Sequence, residues 1–272
     1  MKHTVYFVNA FADGYYHGNT AAVLLLPDYP RDAAMQALAK EFGFSETVFL
    51  KHLAANRYHI RWFTPEVEVA LCGHGSLAAA KVLFEHYAPD AQSIEFESLS
   101  GQLWAERSGN TIWLNFPVDE PSPYEVNPEI IKAVSAVAPV SVMRSPANKN
   151  LVLIYQSPQQ ILEMKPDFSA LMPLQTSELH GIAVTAPGDI PHDYVCRYFA
   201  PWEGINEDPV TGSAQTCLAP YWAEKLGKTE LLAYQASQRG GLFQLTLRNE
   251  RLLIGGKAFT FLKGELDSAW MG

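Results

Sequence analysis

One five-residue pattern occurs twice in this chain. Arg61-Trp62-Phe63-Thr64-Pro65 is echoed by Arg197-Tyr198-Phe199-Ala200-Pro201. Each copy reads as the end of a strand. A short acidic stretch, a polar turn and a helix-like run follow each one. The first turn is Cys72-Gly73-His74-Gly75-Ser76, and the second is Asp208-Pro209-Val210-Thr211-Gly212-Ser213-Ala214. A strand–turn–helix unit repeated half a chain apart predicts two similar halves. The polar residues differ between the copies, so a site drawing on both would carry unlike groups.

The register supports duplication. Phe63 and Phe199 are 136 residues apart, Gly73 and Gly212 are 139 apart, and Gly101 and Gly241 are 140 apart. The second copy therefore holds three extra residues before its turn. A nearly constant offset over such a length constrains more than a short echo does.

Elements can be placed around these anchors. Thr4 to Ala10, Ala21 to Leu26, Thr47 to Leu50 and Tyr58 to Phe63 read as strands. Arg31 to Phe42 has helical periodicity, with Gly43 as its stop. Ser76 to Tyr87 reads as a helix with Leu77, Ala80, Leu83 and Phe84 on one face. Pro117 to Pro128 is proline-rich and polar, the best linker in the chain. In the second half Leu151 to Gln156, Gly181 to Ala186 and Asp193 to Phe199 are expected strands. Ala214 to Leu226 is the expected helix, stopped at Gly227.

The chain of 272 residues is long enough for one large domain or two ordinary ones. Its net charge of −9, with 20 basic residues and no basic cluster, argues against nucleic acid and anionic membranes as partners. A small anionic metabolite remains open, because a local site can oppose the global charge. Cys72, Cys196 and Cys217 form no C-x-x-C pair, which fits a reducing, cytoplasmic location. The apolar run Ala21 to Leu26 is too short to span a bilayer.

Three side chains stand out as candidates for chemistry. Both polar turns deliver the chain to a helix start, where unpaired N–H groups and the dipole favour anions. Taken singly, each turn could be a cap and nothing more; as a pair they could hold a carboxylate and stabilise an enolate-like intermediate. His74 could donate to a developing oxyanion or move a proton, or could serve as a cap. Asp208 could bind, orient or protonate a substrate, or simply complement the dipole. Glu46, in Phe44-Ser45-Glu46-Thr47-Val48-Phe49, is flanked by apolar sequence. Partial desolvation would move its pKa toward the range of a general base or acid; an ordinary strand-edge glutamate is the alternative. No H-E-x-x-H, cysteine–histidine metal spacing, G-x-S-x-G or P-loop is present, so no metal or cofactor is indicated.

These stretches resemble the PhzF-like family, named for the phenazine-biosynthesis isomerase and built on the diaminopimelate epimerase fold. The matching segments are Val5 to Phe11, Gly18 to Val23, Phe44 to Phe49, Phe63-Thr64-Pro65 through Cys72 to Gly75, and Glu207 to Ala214. Gly240-Gly241 and Gly255-Gly256 also fit. The resemblance implies an α+β protein of two pseudo-symmetric halves, each a curled, barrel-like sheet around a central helix, with the site between them. The halves would be residues 1–117 and 118–257, and a last strand at about 258–272 could return to the first half. The resemblance makes Glu46 the proton-transferring carboxylate, with His74, Asp208 and Ser213 lining the site. The Gly73 and Gly212 backbone would contact the ligand, and Asn19 and Ser45 would help position it.

One departure bears on the reaction. Diaminopimelate epimerase uses two thiols, one from each half. Cys72 could sit near the first thiol position, but its counterpart by the internal register is Thr211, and Cys217 falls inside the helix. One carboxylate that takes a proton from one carbon and returns it to another fits better. The expectation is a cofactor-independent isomerase of a small carboxylate-bearing substrate. A non-catalytic metabolite-binding relative, or a lyase or epimerase on the same scaffold, is the alternative. Cys72, near a helix start, would tend toward a lowered pKa if reactive; the plainer reading is a small buried residue. An exposed strand edge would allow a homodimer without requiring one.

Overall fold

The computed structural model describes residues 2–271. In chain order the elements are β1 (Lys2–Ala10), β2 (Asn19–Leu26), α1 (Asp32–Phe42), β3 (Glu46–Ala54), β4 (Arg57–Phe63), β5 (Glu68–Val69), α2 (Gly73–His86), β6 (Ser93–Ser98), β7 (Gly101–Ser108) and β8 (Thr111–Pro117). Then come β9 (Ser122–Pro123), α3 (Pro128–Val134), β10 (Ser141–Arg144), β11 (Asn150–Ile154), α4 (Pro158–Leu162), α5 (Phe168–Leu171), β12 (Gly181–Pro187) and β13 (Tyr194–Phe199). The chain finishes with α6 (Gly212–Leu226), β14 (Glu230–Gln235), β15 (Gly241–Arg248), β16 (Arg251–Gly256) and β17 (Ala258–Asp267). Two compact units result. The first runs to Asn115 and resumes at Gly255; the second is Phe116–Ile254.

The first unit is a curled sheet around α2. From β1 through β2, β3, β4 and β6 to β7, successive pairs run antiparallel, parallel, antiparallel, parallel, antiparallel. β17 adds to the other side of β1, antiparallel. Helix α2 packs against β1, β2, β3, β7 and β17. It is buried from His74 to Phe84 with Lys81 the exception. The sequence suggested one apolar face for this helix. A helix wrapped by strands has no solvent side to pattern, which is why its small residues, Ala78, Ala79 and Ala80, are all buried as well. Close approach explains Gly75: a Cβ there would lie 2.8 Å from Trp62 Cδ1 and 3.1 Å from Val48 Cγ2.

The strands of this unit are covered on their other face too. Val5, Leu24 and Phe49 join Met35, Leu38 and Ala39 of α1 in a second cluster. Val48 thus faces α2 while Phe49 faces α1, and the Thr47–Leu50 segment is buried on both sides.

The second unit repeats the arrangement. From β10 through β11, β12, β13 and β14 to β15, the pairs again run antiparallel, parallel, antiparallel, parallel, antiparallel. Helix α6 takes the place of α2; its Gln215 and Trp222 side chains bond to Tyr194 of β13 and Thr185 of β12. Helices α3, α4 and α5 pack against β11 and β12, as α1 does in the first unit.

The echoed residues do the same work in each unit. Arg61 Nε and Nη2 donate to the two oxygens of Glu68, both at 2.7 Å. Arg197 Nε and Nη2 donate to Glu207 at 2.7 and 2.9 Å. Each guanidinium stands over the phenylalanine two residues on, at 5.1 Å for Phe63 and 5.0 Å for Phe199. The three extra residues of the second copy lie between Phe199 and Glu207, inside the arginine–glutamate clasp.

Candidate active site

Strand β2 begins at Asn19 and β3 at Glu46, and the two are parallel with Ala21 opposite Glu46. Their N-terminal ends therefore lie side by side. The chain reaches β2 through Gly18 at φ 77, where a Cβ would lie 2.3 Å from the Ala10 carbonyl oxygen, so glycine is required. α2 packs on both strands and starts at Gly73. That is three residues before the start read from the sequence, and it puts Gly73 and His74 in the first turn. These local rules gather Asn19, Ser45, Glu46, Gly73 and His74 at one place in the first unit.

The central contact is between Glu46 Oε2 and His74 Nε2, at 2.8 Å. The atoms touch without the alignment of a hydrogen bond, and both are buried without another hydrogen-bond partner among the described residues. The Glu46 side chain is 15 % exposed. Since Oε2 is buried, that exposure belongs to its other atoms. On the far side of the ring, His74 Nδ1 lies 3.3 Å from Asn19 Nδ2 and 3.6 Å from Cys72 Sγ. Ser45 Oγ donates to Asn19 Oδ1 at 2.9 Å. Hence Ser45, Asn19, His74 and Glu46 form one polar chain.

Burial opposes charging His74, but Cys72 and Glu46 together overcome it and hold the imidazole well above its ordinary value. Burial pushes the Cys72 thiol up, with Glu46 adding to the effect. The lowered thiol pKa anticipated for a helix start does not materialise: Cys72 is only 6 % exposed, and desolvation outweighs the cap. Cys72 is the N-cap residue of α2, its Sγ accepting from Gly75 N–H at 3.2 Å. Ser76 N–H goes to the Cys72 carbonyl. The N–H groups of Gly73 and His74 are further donors of this helix end.

Glu46, Cys72 and His74 also offer donor atoms within 4.8 Å of one another, a set that could hold a metal ion.

In the second unit the other candidates gather around the start of α6. Thr211 is the N-cap residue there, the station Cys72 holds on α2. Its hydroxyl does not cap the helix; it donates to Asp208 Oδ2 at 2.5 Å. Gly212 and Ser213 follow as the first turn, and the Ser213 carbonyl accepts from Thr216 Oγ1. Two buried glutamines, which the sequence reading missed, hold this turn. Gln235 Nε2 donates to the Asp208 carbonyl at 2.8 Å, and its Oε1 accepts from Thr211 N–H at 2.9 Å. Gln215 donates to the Thr211 carbonyl and accepts from Tyr194 Oη at 2.6 Å. A lone glutamine in a strand or helix carries no sequence signal of this kind; only the fold brings it to the turn.

Comparison with known proteins follows the same lines. The family model described as phenazine biosynthesis-like protein matches residues 8–264. An uncharacterized isomerase of Halalkalibacterium halodurans is 42% identical, over 98% of this chain and 99% of its own. A crystal structure of a phenazine biosynthesis protein of the PhzF family, from Enterococcus faecalis, is 38% identical and superimposes with a TM-score of 0.92, covering 98% of this chain and 100% of that one. A hydroxyproline epimerase from Agrobacterium vitis, at 12% identity, superimposes with a TM-score of 0.61 over 97% of this chain and 92% of its own, a likeness of fold alone. The architecture is α+β and diaminopimelate epimerase-like. No helix among the described residues is long and apolar enough to cross a membrane.

Proposed function

The chain belongs to the phenazine biosynthesis-like protein family and is an isomerase-type enzyme, and on that premise we propose that it moves a carbon-bound proton on a small carboxylate-bearing substrate, without a cofactor, using Glu46 as the acid and base. The observation that carries this reading is the Glu46–His74 contact. A carboxylate oxygen lies against an imidazole that favours its charged form, in a largely dry setting where a proton can pass between the carboxylate and a substrate carbon. Glu46 takes a proton from one carbon and returns it to another carbon of the same molecule. One base suffices, so the product has the substrate's mass.

The other groups have supporting parts in this proposal. The Gly73 and His74 N–H groups and the imidazolium take up negative charge as it develops on the substrate. Asn19 and Ser45 hold His74 and the substrate in register. Asp208 orients the substrate or assists protonation, and Ser213 with the Gly212 N–H binds its carboxylate.

The test begins with a thermal-shift screen of small cyclic and unsaturated carboxylates. Each stabilising compound is then incubated with wild type and with Glu46→Gln. The reading expects a product of unchanged mass from wild type and none from the variant. A product lighter by water would point to a dehydratase. Equal conversion by both proteins would remove Glu46 from the chemistry, and binding without conversion would favour a metabolite-binding protein.

A further inference from the structure

A cavity of about 940 Å³ lies away from the Glu46 cluster, lined by α2, the β7–β8 hairpin and the strand β17. It shares no lining residue with that cluster. Lys81, its α2 cation, is seven residues beyond His74, roughly 10 Å along the helix.

The charge in this cavity runs against that of the chain. Lys81, Arg107, Lys257 and Lys263 line it, with Glu85 as the single carboxylate. Lys81 and Glu85 pair at 2.7 Å and cancel. Arg107, Lys257 and Lys263 have no carboxylate at ion-pairing distance among the described residues, in a chain whose net charge is −9. Two of these cations are held in place. Arg107 Nη2 donates to the Pro89 carbonyl, and its guanidinium stands 5.2 Å from the Phe84 ring. Lys263 stands 5.4 Å from the Tyr6 ring. Cations fixed before a ligand arrives lose less freedom when it binds.

The strand wall is irregular in a way that suits a ligand. Phe7 pairs with Leu262 and Val8 with Thr260, so Phe261 is an extra, bulged residue. A regular strand shows every second side chain to one face; here Phe259 through Lys263 all line the cavity. Phe261 and Leu262 remain 44% and 41% exposed, giving an apolar wall beside the cations.

We propose that this groove binds an organic polyanion: a small molecule carrying two or more phosphate or carboxylate groups on a frame that can lie against Phe261 and Leu262. The cations meet the anionic groups and the bulged strand meets the frame. This site stands independently of the Glu46 reaction.

The test is calorimetric titration of the full chain with ATP and with citrate, phosphorylated and carboxylated probes, and with adenosine as the uncharged control. At least one anion is expected to bind with a Kd below about 1 mM, ahead of adenosine. Its affinity should fall about tenfold or more in the surface double variant Arg107→Ser, Lys257→Ser, the loss expected for removed charge-assisted contacts. The proposal fails if neither anion binds or if the double variant binds as wild type does. It also fails if light scattering finds a dimer that the double variant splits, because a second copy would then occupy the groove.

Discussion

Glu46 Oε2 and His74 Nε2 meet at 2.8 Å, the one from the first residue of β3 and the other from the second residue of α2. Neither strand nor helix would bring them together alone. The parallel pairing of β2 with β3 and the central seat of α2 do so. The contact is buried, so removing either partner leaves the other in a dry place without compensation.

That contact predicts a pH signature. The folded His74 value lies well above 6.5. A raised value means the folded state holds the proton more tightly. The stabilisation is complete below about pH 6.5 and is lost as pH rises through the folded value. Denaturant titrations of wild type and His74→Gln from pH 6 to 10 should show a stability difference that shrinks with rising pH. A difference that does not change with pH would contradict the assignment.

Cys72 should be dispensable. Burial pushes its thiol up, and its counterpart Thr211 shows that a non-thiol can hold the same helix station. Cys72→Ser should keep turnover within about threefold, and iodoacetamide at pH 7 should label the native protein far more slowly than the unfolded one. A loss of turnover by orders of magnitude would return the two-thiol epimerase to consideration.

The paired arginines should differ in importance. Both clasp a glutamate, but Arg197 Nη1 also donates to the Ile161 and Met164 carbonyls, tying the end of α4 to β13. Arg61 Nη1 instead meets the exposed Asp32. Arg197→Met should therefore cost about 2–4 kcal/mol, and Arg61→Met about 1–2 kcal/mol. Thermal or urea unfolding of the two variants settles the order, and an equal or reversed cost would contradict it.

Gly75 should resist even alanine. The added Cβ would press on Trp62 and Val48 in a helix that has no free side to move toward. The expected cost is about 1–3 kcal/mol. A neutral Gly75→Ala would mean that α2 is seated more loosely than its contacts indicate.

Much of this is legible in the amino-acid sequence. The Arg-aromatic-Phe echo marked β4 and β13, and the shift from 136 to 139 placed three extra residues that lie within one arginine–glutamate clasp. Gly43 and Gly227 were readable as helix stops, and both adopt left-handed conformations at φ 65. What escaped depended on the surroundings of a residue. The all-round burial of α2 follows from strands far apart in sequence. Cys72 is governed by desolvation, which local spacing cannot report. Gln215 and Gln235 matter only because β13, β14 and α6 converge on the Asp208 turn. The short α3, α4 and α5, and strands β10 and β14, lack a long period to detect.

The central claim is that Glu46 carries the proton. It is tested most directly by running a screened substrate in D₂O and following deuterium at its carbons by NMR. Wild type should exchange or transfer a C–H, and Glu46→Gln should bind the same compound with a Kd within about threefold while exchange falls by about 10²–10⁴. Exchange in Glu46→Gln at the wild-type rate would contradict the account.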